Sequence, residues 1–264
     1  MKNLYLLLLT LFLMVFQSSH SQEITGIATY KFFLKTDIKL DSTQVNAEMR
    51  ARIEEMVRKQ TRKEYELHFN NNESFFIEKE SLEKPGNNMF SSTVVSSIGG
   101  LGSLYKNKSN NQFIKQAEIL GKQFLVVDTL QKQEWVLEKE TKNIGEYVCF
   151  KATRIEVTTD KETGGIKEIN TIAWYTPQIP VAFGPMDYGG LPGLILEVQR
   201  ENVSYLCNQI VLNPKKGIKM EPAKKGTKVS EKEFEAIKAK KQKEMGEDSN
   251  SKTGVEVKVE VRKG

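Results

Sequence analysis

Residues Thr176 to Val198 read TPQIPVAFGPMDYGGLPGLILEV and constrain the fold more than any other stretch of the chain. Four of the seven prolines fall here, Pro177, Pro180, Pro185 and Pro192, interspersed with Gly184, Gly189, Gly190 and Gly193. Each proline fixes its own φ and pushes the preceding residue out of the helical region. The glycines supply the positive-φ positions that tight turns require, Gly193 being one candidate. The segment reads as a stiff, turning ribbon. It ends in a very apolar strand, Leu194–Val198, broken only by Glu197.

The N-terminus carries an export pattern. Lys2 precedes an apolar run from Leu4 to Phe16, and Ser19-His20-Ser21 places small residues at −3 and −1 of a cleavage site before Gln22. The run is too short for a bilayer core, which needs roughly 20 apolar residues. Residues 1–21 are therefore expected to be a cleaved signal peptide, with the remaining chain periplasmic or secreted and not membrane-spanning. A net charge of +5 spread over 28% charged residues is a solvated surface and gives no sign of a nucleic-acid partner.

Along the chain, Glu23–Leu34 reads as a first strand, rich in β-branched and aromatic residues. Over Asp41–Gln60 the period changes. Val45, Met49, Ile53 and Met56 share one face of an amphipathic helix. Strands return at Lys63–Phe69 and Glu73–Lys79, with Asn70-Asn71-Asn72 as the hairpin turn. Ser81–Asn111 reads as an irregular, Gly-rich insertion, either a mobile loop or a lid. Seven further strands follow: Gln112–Ile119, Lys122–Asp128, Glu134–Glu138, Tyr147–Thr158, Lys167–Tyr175, Leu194–Arg200 and Val203–Leu212. Short polar turns such as Gly164-Gly165 separate them, which argues a meander. The expected fold is mainly β: a large curved antiparallel sheet, open and barrel-like, with one early and one late amphipathic helix. Residues 22–213 form the β domain. Residues 214–264 add a Lys-rich linker, a helix opened by a Ser230–Glu233 capping box with a Val229–Phe234 staple, and a tail.

Chemistry is sparse. Beyond the signal segment the one histidine is His68, on a strand, where a hydrogen-bonded structural role outweighs that of a base. Metal-ligand spacings are absent, and neither a metal nor another cofactor is expected. Gly100-Leu101-Gly102 lacks the third glycine of a phosphate-binding loop. Trp174, Tyr175, Phe183 and Tyr188 are core residues, or they line a cleft where the ribbon meets the sheet. Glu197 either faces solvent or sits beside a buried partner. Cys149 and Cys207 lie inside strands of an exported chain and are expected to pair, the alternative being two buried free thiols.

Gly190-Leu191-Pro192-Gly193-Leu194-Ile195, preceded by Lys142–Ala152 and by Ala173-Trp174-Tyr175-Thr176-Pro177, resembles the GLPGLI family of secreted Bacteroidetes proteins, whose biochemistry is unknown. The resemblance implies cell-envelope work, and association with TonB-dependent receptors. The element order is also similar to that of periplasmic lipoprotein carriers. Together these readings point to an exported binding or accessory protein holding an apolar small ligand or an envelope protein partner. The alternative is a hydrolase acting through carboxylates that the sequence does not single out.

Overall fold

The computed structural model describes residues 24–34, 48, 63–79, 102–159 and 164–249. The signal segment expected over residues 1–21, the helix expected over Asp41–Gln60 (Glu48 apart), most of the insertion up to residue 101 and the C-terminal tail lie outside the described residues. The first six strands are β1 (Gly26–Leu34), β2 (Glu64–Phe69), β3 (Glu73–Glu78), β4 (Ser103–Asn107), β5 (Gln112–Ile119) and β6 (Lys122–Thr129). Then come β7 (Val136–Ile144), β8 (Tyr147–Thr159), β9 (Ile166–Thr176), β10 (Leu194–Arg200), β11 (Val203–Leu212) and β12 (Thr227–Val229). One helix, α1 (Glu231–Ser249), ends the described chain.

All twelve strands join one open sheet, ordered β12-β6-β5-β4-β3-β2-β1-β11-β10-β9-β8-β7. Every pairing is antiparallel except β12 on β6, which makes the sheet mixed and corrects the wholly antiparallel expectation at that edge. The order also requires strong curl. Strands β6 and β7 are ten inter-strand steps apart, about 48 Å in a flat sheet at ~4.8 Å per step. Only Leu130–Trp135 connect them, and so short a segment reaches about 25 Å when fully extended. The sheet therefore bends until its two ends approach, without closing into a barrel.

Aromatic side chains fill the bend. Tyr30, Phe32, Tyr65, Phe76 and Tyr205 are buried together, with Tyr65 and Phe76 stacked at 5.1 Å. The Tyr30 hydroxyl donates to the Ile195 carbonyl at 2.7 Å, and burial raises its pKa well above the ordinary value. At the far edge, α1 docks through its first turns, Phe234 against Phe124 with Ile237 half-buried beside them. The capping box forms as expected: Glu233 N–H donates to Ser230 Oγ, and Ser230 N–H donates to the Glu233 carboxylate at 2.8 Å. Asp128 of β6 accepts from Glu231 N–H, fastening the helix start to the sheet.

Four expectations change here. The strand expected over Glu134–Glu138 is β7, Val136–Ile144, and the linker expected after residue 213 contains strand β12. The insertion predicted over Ser81–Asn111 contains strand β4, paired on both sides with β3 and β5. Cys149 and Cys207 do not pair: both are free, on β8 and β11, with β9 and β10 between them. Three inter-strand steps amount to about 14 Å along the sheet, against roughly 7 Å between bridged Cα atoms. Burial pushes the Cys149 thiol up to about 11 and the Cys207 thiol up to about 12, so both stay protonated and unreactive near neutral pH.

Candidate functional site

Strands β9 and β10 are direct neighbours, which a two-residue turn can join, yet 17 residues, 177–193, lie between them. These residues are the Pro-rich ribbon, and they turn into the mouth of the curled sheet. Ile179, Val181, Phe183 and Leu191 are all buried. Gly190 holds φ +81, but Gly193 does not have a positive φ. Its glycine is required by contact instead, because an added Cβ would stand 2.2 Å from the Thr176 carbonyl oxygen. Thr176 is the last residue of β9, so the -Pro-Gly- step lets the ribbon's exit cross its own entrance.

The ribbon makes a few backbone hydrogen bonds of its own, such as Gly190 N–H to the Ala182 carbonyl at 3.1 Å, and side chains from outside hold its tip. Lys106 Nζ donates to the carbonyls of Met186 (2.8 Å) and Tyr188 (3.0 Å). Gln133 donates to the Asp187 carbonyl and accepts from Gly189 N–H, and Trp135 Nε1 donates to the Gly189 carbonyl at 2.9 Å. These three donors come from β4 and from the strap Leu130–Trp135 that spans the mouth.

Between tip, strap and sheet lies a cavity of about 410 Å³, within the size range of small-molecule sites. Its floor follows from register. Lys106, Phe113 and Asp128 face one another across β4, β5 and β6, and Leu104 faces Lys115 one row away. Leu130, Gln131 and Gln133 of the strap, Met186 and Asp187 of the ribbon, and Glu231 of α1 complete the lining. A second cavity of about 210 Å³, beside Phe183 and Gly190, shares Lys106, Leu130, Gln131, Gln133 and Asp187 with the first.

Most charges here are already engaged. Lys115 binds Glu231 at 2.7 and 3.0 Å. Asp128 accepts from the backbone N–H groups of Thr129 and Glu231, which hold its carboxyl below the usual range. Lys106 is different. It is 4% exposed, it hydrogen-bonds two neutral carbonyls, its ammonium lies 5.9 Å from the centre of the Phe183 ring, and it makes no ion pair among the described residues. Burial lowers its pKa to about 8, with Asp187 opposing the shift.

The aromatic candidates do not converge on one cleft. Consecutive residues of a strand face opposite ways, and Trp174 and Tyr175 enter different hydrophobic clusters. Phe183 packs with Trp174 in the first cluster and Tyr188 with Tyr175 in the second. Phe183 lines the smaller cavity; Trp174, Tyr175 and Tyr188 line neither. Glu197 sits beside a partner, Lys142 at 2.6 Å, and that ammonium lies over the Trp174 ring at 4.3 Å. A bulge makes this arrangement: Ile195 pairs with Tyr175 and Glu197 with Trp174, so Leu196 is an extra residue. The polar residue thereby faces its cation while Leu194, Ile195 and Leu196 stay buried. His68 hydrogen-bonds Glu66 at 3.0 Å and lines neither cavity.

Sequence reasoning missed Lys106, along with Lys115, Asp128 and Asp187. The available signal was Asn107-Lys108-Ser109-Asn110-Asn111, a polar turn like that at 70–72, which marks a hairpin and hence a strand before it. Among the described residues, no group of three or more His, Cys, Asp or Glu side chains gathers as a metal site, and no helix is long and apolar enough to cross a membrane.

Residues 135–170 and 160–197 match a family described as a protein of unknown function (Porph_ging), over a segment that includes β8, β9 and the ribbon. No curated protein matches. Among solved structures, the chain is similar to PNGF-II in two crystal forms, at 16% and 15% identity with TM-scores of 0.48 and 0.49. Each likeness covers 81% of this chain and 32% or 33% of the other, so the chain spans about a third of the length of those proteins.

Proposed function

We propose that this chain is an exported cell-envelope binding protein that holds a small ligand in the cavity between the ribbon, the strap and strands β4–β6. One observation carries the reading: a cavity of about 410 Å³, lined in part by Leu104, Phe113, Leu130 and Met186, converges on a buried ammonium that has no counter-ion among the described residues. A buried charge lacking its partner is costly, and proteins retain such groups where a ligand completes them. The resemblance to GLPGLI proteins and the export pattern supply the compartment, and add a TonB-dependent receptor as an envelope partner that delivers or takes up the ligand.

The hydrolytic alternative fits this cavity poorly. A general acid has to hold its proton near neutral pH, whereas Asp128 is kept ionised by two backbone donors and Glu231 is engaged by Lys115. For the binding reading, solvent extraction of protein purified from its native envelope should release a compound in stoichiometric amount. Leu130→Trp, which fills the cavity from a half-buried strap position, should abolish its recovery while leaving the unfolding midpoint in place. Equal recovery from both proteins would sink the assignment.

A further inference from the structure

We infer that the ligand is an amphipathic anion, a hydrocarbon chain of roughly 8–12 carbons ending in a carboxylate, with the carboxylate on Lys106 Nζ and the chain lying along Leu104, Phe113, Leu130 and Met186. This rests on the reading of the cavity as a ligand site. An ammonium has three N–H donors, and two of those on Lys106 are taken by the carbonyls of Met186 and Tyr188. The third is the remaining donor of the one cation in the lining of the larger cavity that lacks an anion. A carboxylate accepts there in a charge-assisted bond, about twice as strong as a neutral one.

The other charged groups around Lys106 sharpen the ligand class. On β4 itself Lys108 lies on the side of the smaller cavity, where Lys132 of the strap also stands. From β5, Lys115 is neutralised by Glu231 of α1, and from β6 Asp128 is turned to backbone donors. From the ribbon, Asp187 is exposed at the mouth. Within the larger cavity an anionic head is therefore drawn to Lys106, while the rest of that lining, Leu104, Phe113, Leu130, Met186 and the Lys115–Glu231 pair, offers a second negative charge no free cation. Monocarboxylates are favoured over dicarboxylates. Length follows from volume: at about 30 Å³ for each water-sized group, the cavity takes on the order of a dozen non-hydrogen atoms.

Titration calorimetry on the purified full-length protein, with decanoate and its neutral analogue decanol at pH 7 and pH 9.5, decides the matter. Decanoate is expected to bind at least tenfold tighter than decanol at pH 7, with affinity rising about fourfold per methylene from octanoate to decanoate. Lys106 titrates near pH 8 in the free protein. Decanoate affinity should therefore fall above that pH, by up to tenfold per unit, while decanol binding stays level. Lys106→Met should erase the preference for decanoate, and Lys106→Arg should keep it. Arginine retention guards against the case in which Lys106→Met simply loosens the ribbon. Equal binding of decanoate and decanol at pH 7 overturns the carboxylate assignment and leaves the cavity reading standing. So does failure of both to bind while Leu130→Trp still abolishes recovery of an extracted compound. If neither binds and Leu130→Trp changes nothing, both readings fall.

Discussion

The ribbon at residues 177–193 and the far end of the β8–β9 hairpin are opposites. The hairpin has the more regular backbone, a ladder of ten consecutive pairs from Phe150↔Tyr175 to Thr159↔Ile166. Three of its apolar side chains are nevertheless in solvent, Ile155 at 63%, Val157 at 67% and Ile166 at 84% exposure. The ribbon contributes one isolated bridge, Phe183↔Gly189, yet Ile179, Val181, Phe183 and Leu191 are at 1–2% exposure. Backbone regularity and depth of burial are thus separate properties. A strand ladder satisfies its own polar groups and tolerates exposure. An irregular segment survives burial where scattered partners meet its carbonyls: backbone N–H groups of the ribbon and of β10 for Ile179, Ala182 and Phe183, and Lys106, Gln133 and Trp135 at the tip.

The largest expected effect tests the ribbon's entrance. Gly193→Val drives a branched side chain into the Thr176 carbonyl, a backbone atom that cannot swing aside. Destabilisation on the order of 3 kcal/mol or more is expected in urea titration. A shift within about 0.5 kcal/mol would mean that the crossing is loose and the contrast with the hairpin overstated.

Next comes direct comparison of matched truncations. Leu191→Ala empties a ribbon site at 1% exposure and should cost about 3 kcal/mol, within the range for buried leucines. Ile166→Ala, at 84% exposure, removes a comparable side chain from the hairpin and should stay within about 0.5 kcal/mol. Similar costs at the two sites would dissolve the comparison.

A smaller effect isolates the side-chain donors. Trp135→Phe keeps the ring over Arg154 but removes the N–H that reaches the Gly189 carbonyl. A loss of about 1 kcal/mol is expected, with faster amide exchange confined to residues around Gly189. Exchange rising evenly over the chain would show that the tip is not held locally.

The mildest test runs along one strand. Val157→Cys places a thiol on the exposed end of β8, while Cys149 is buried at its start. One thiol per chain should react at once under native conditions and three after unfolding. Stability should then fall as pH rises from about 9 through 11. The buried Cys149 and Cys207 stay protonated in the folded state over that window, and the unfolded chain loses those protons. A native count of three thiols would show that the start of β8 opens as readily as its end.

What the sequence determined by itself was local. The positions of β1–β3, β5, β6 and β8–β11, the Asn70–Asn72 and Gly164 turns and the Ser230–Glu233 cap all follow from interactions within a few residues. Such interactions are written in adjacent letters. The tertiary structure decided everything that depends on which strands become neighbours. It put two strands between Cys149 and Cys207, sent Trp174 and Tyr175 into separate clusters, and turned Glu197 toward Lys142 through a bulge at Leu196. It also made the site. Lys106 stands in a five-residue strand that the following polar turn marks as a strand without marking the lysine as buried, and its partners Met186 and Tyr188 lie 80 and 82 residues away. Only the curl of the sheet, forced by a short strap joining its two ends, brings an ammonium on β4 under the ribbon and excludes the water that would otherwise solvate it.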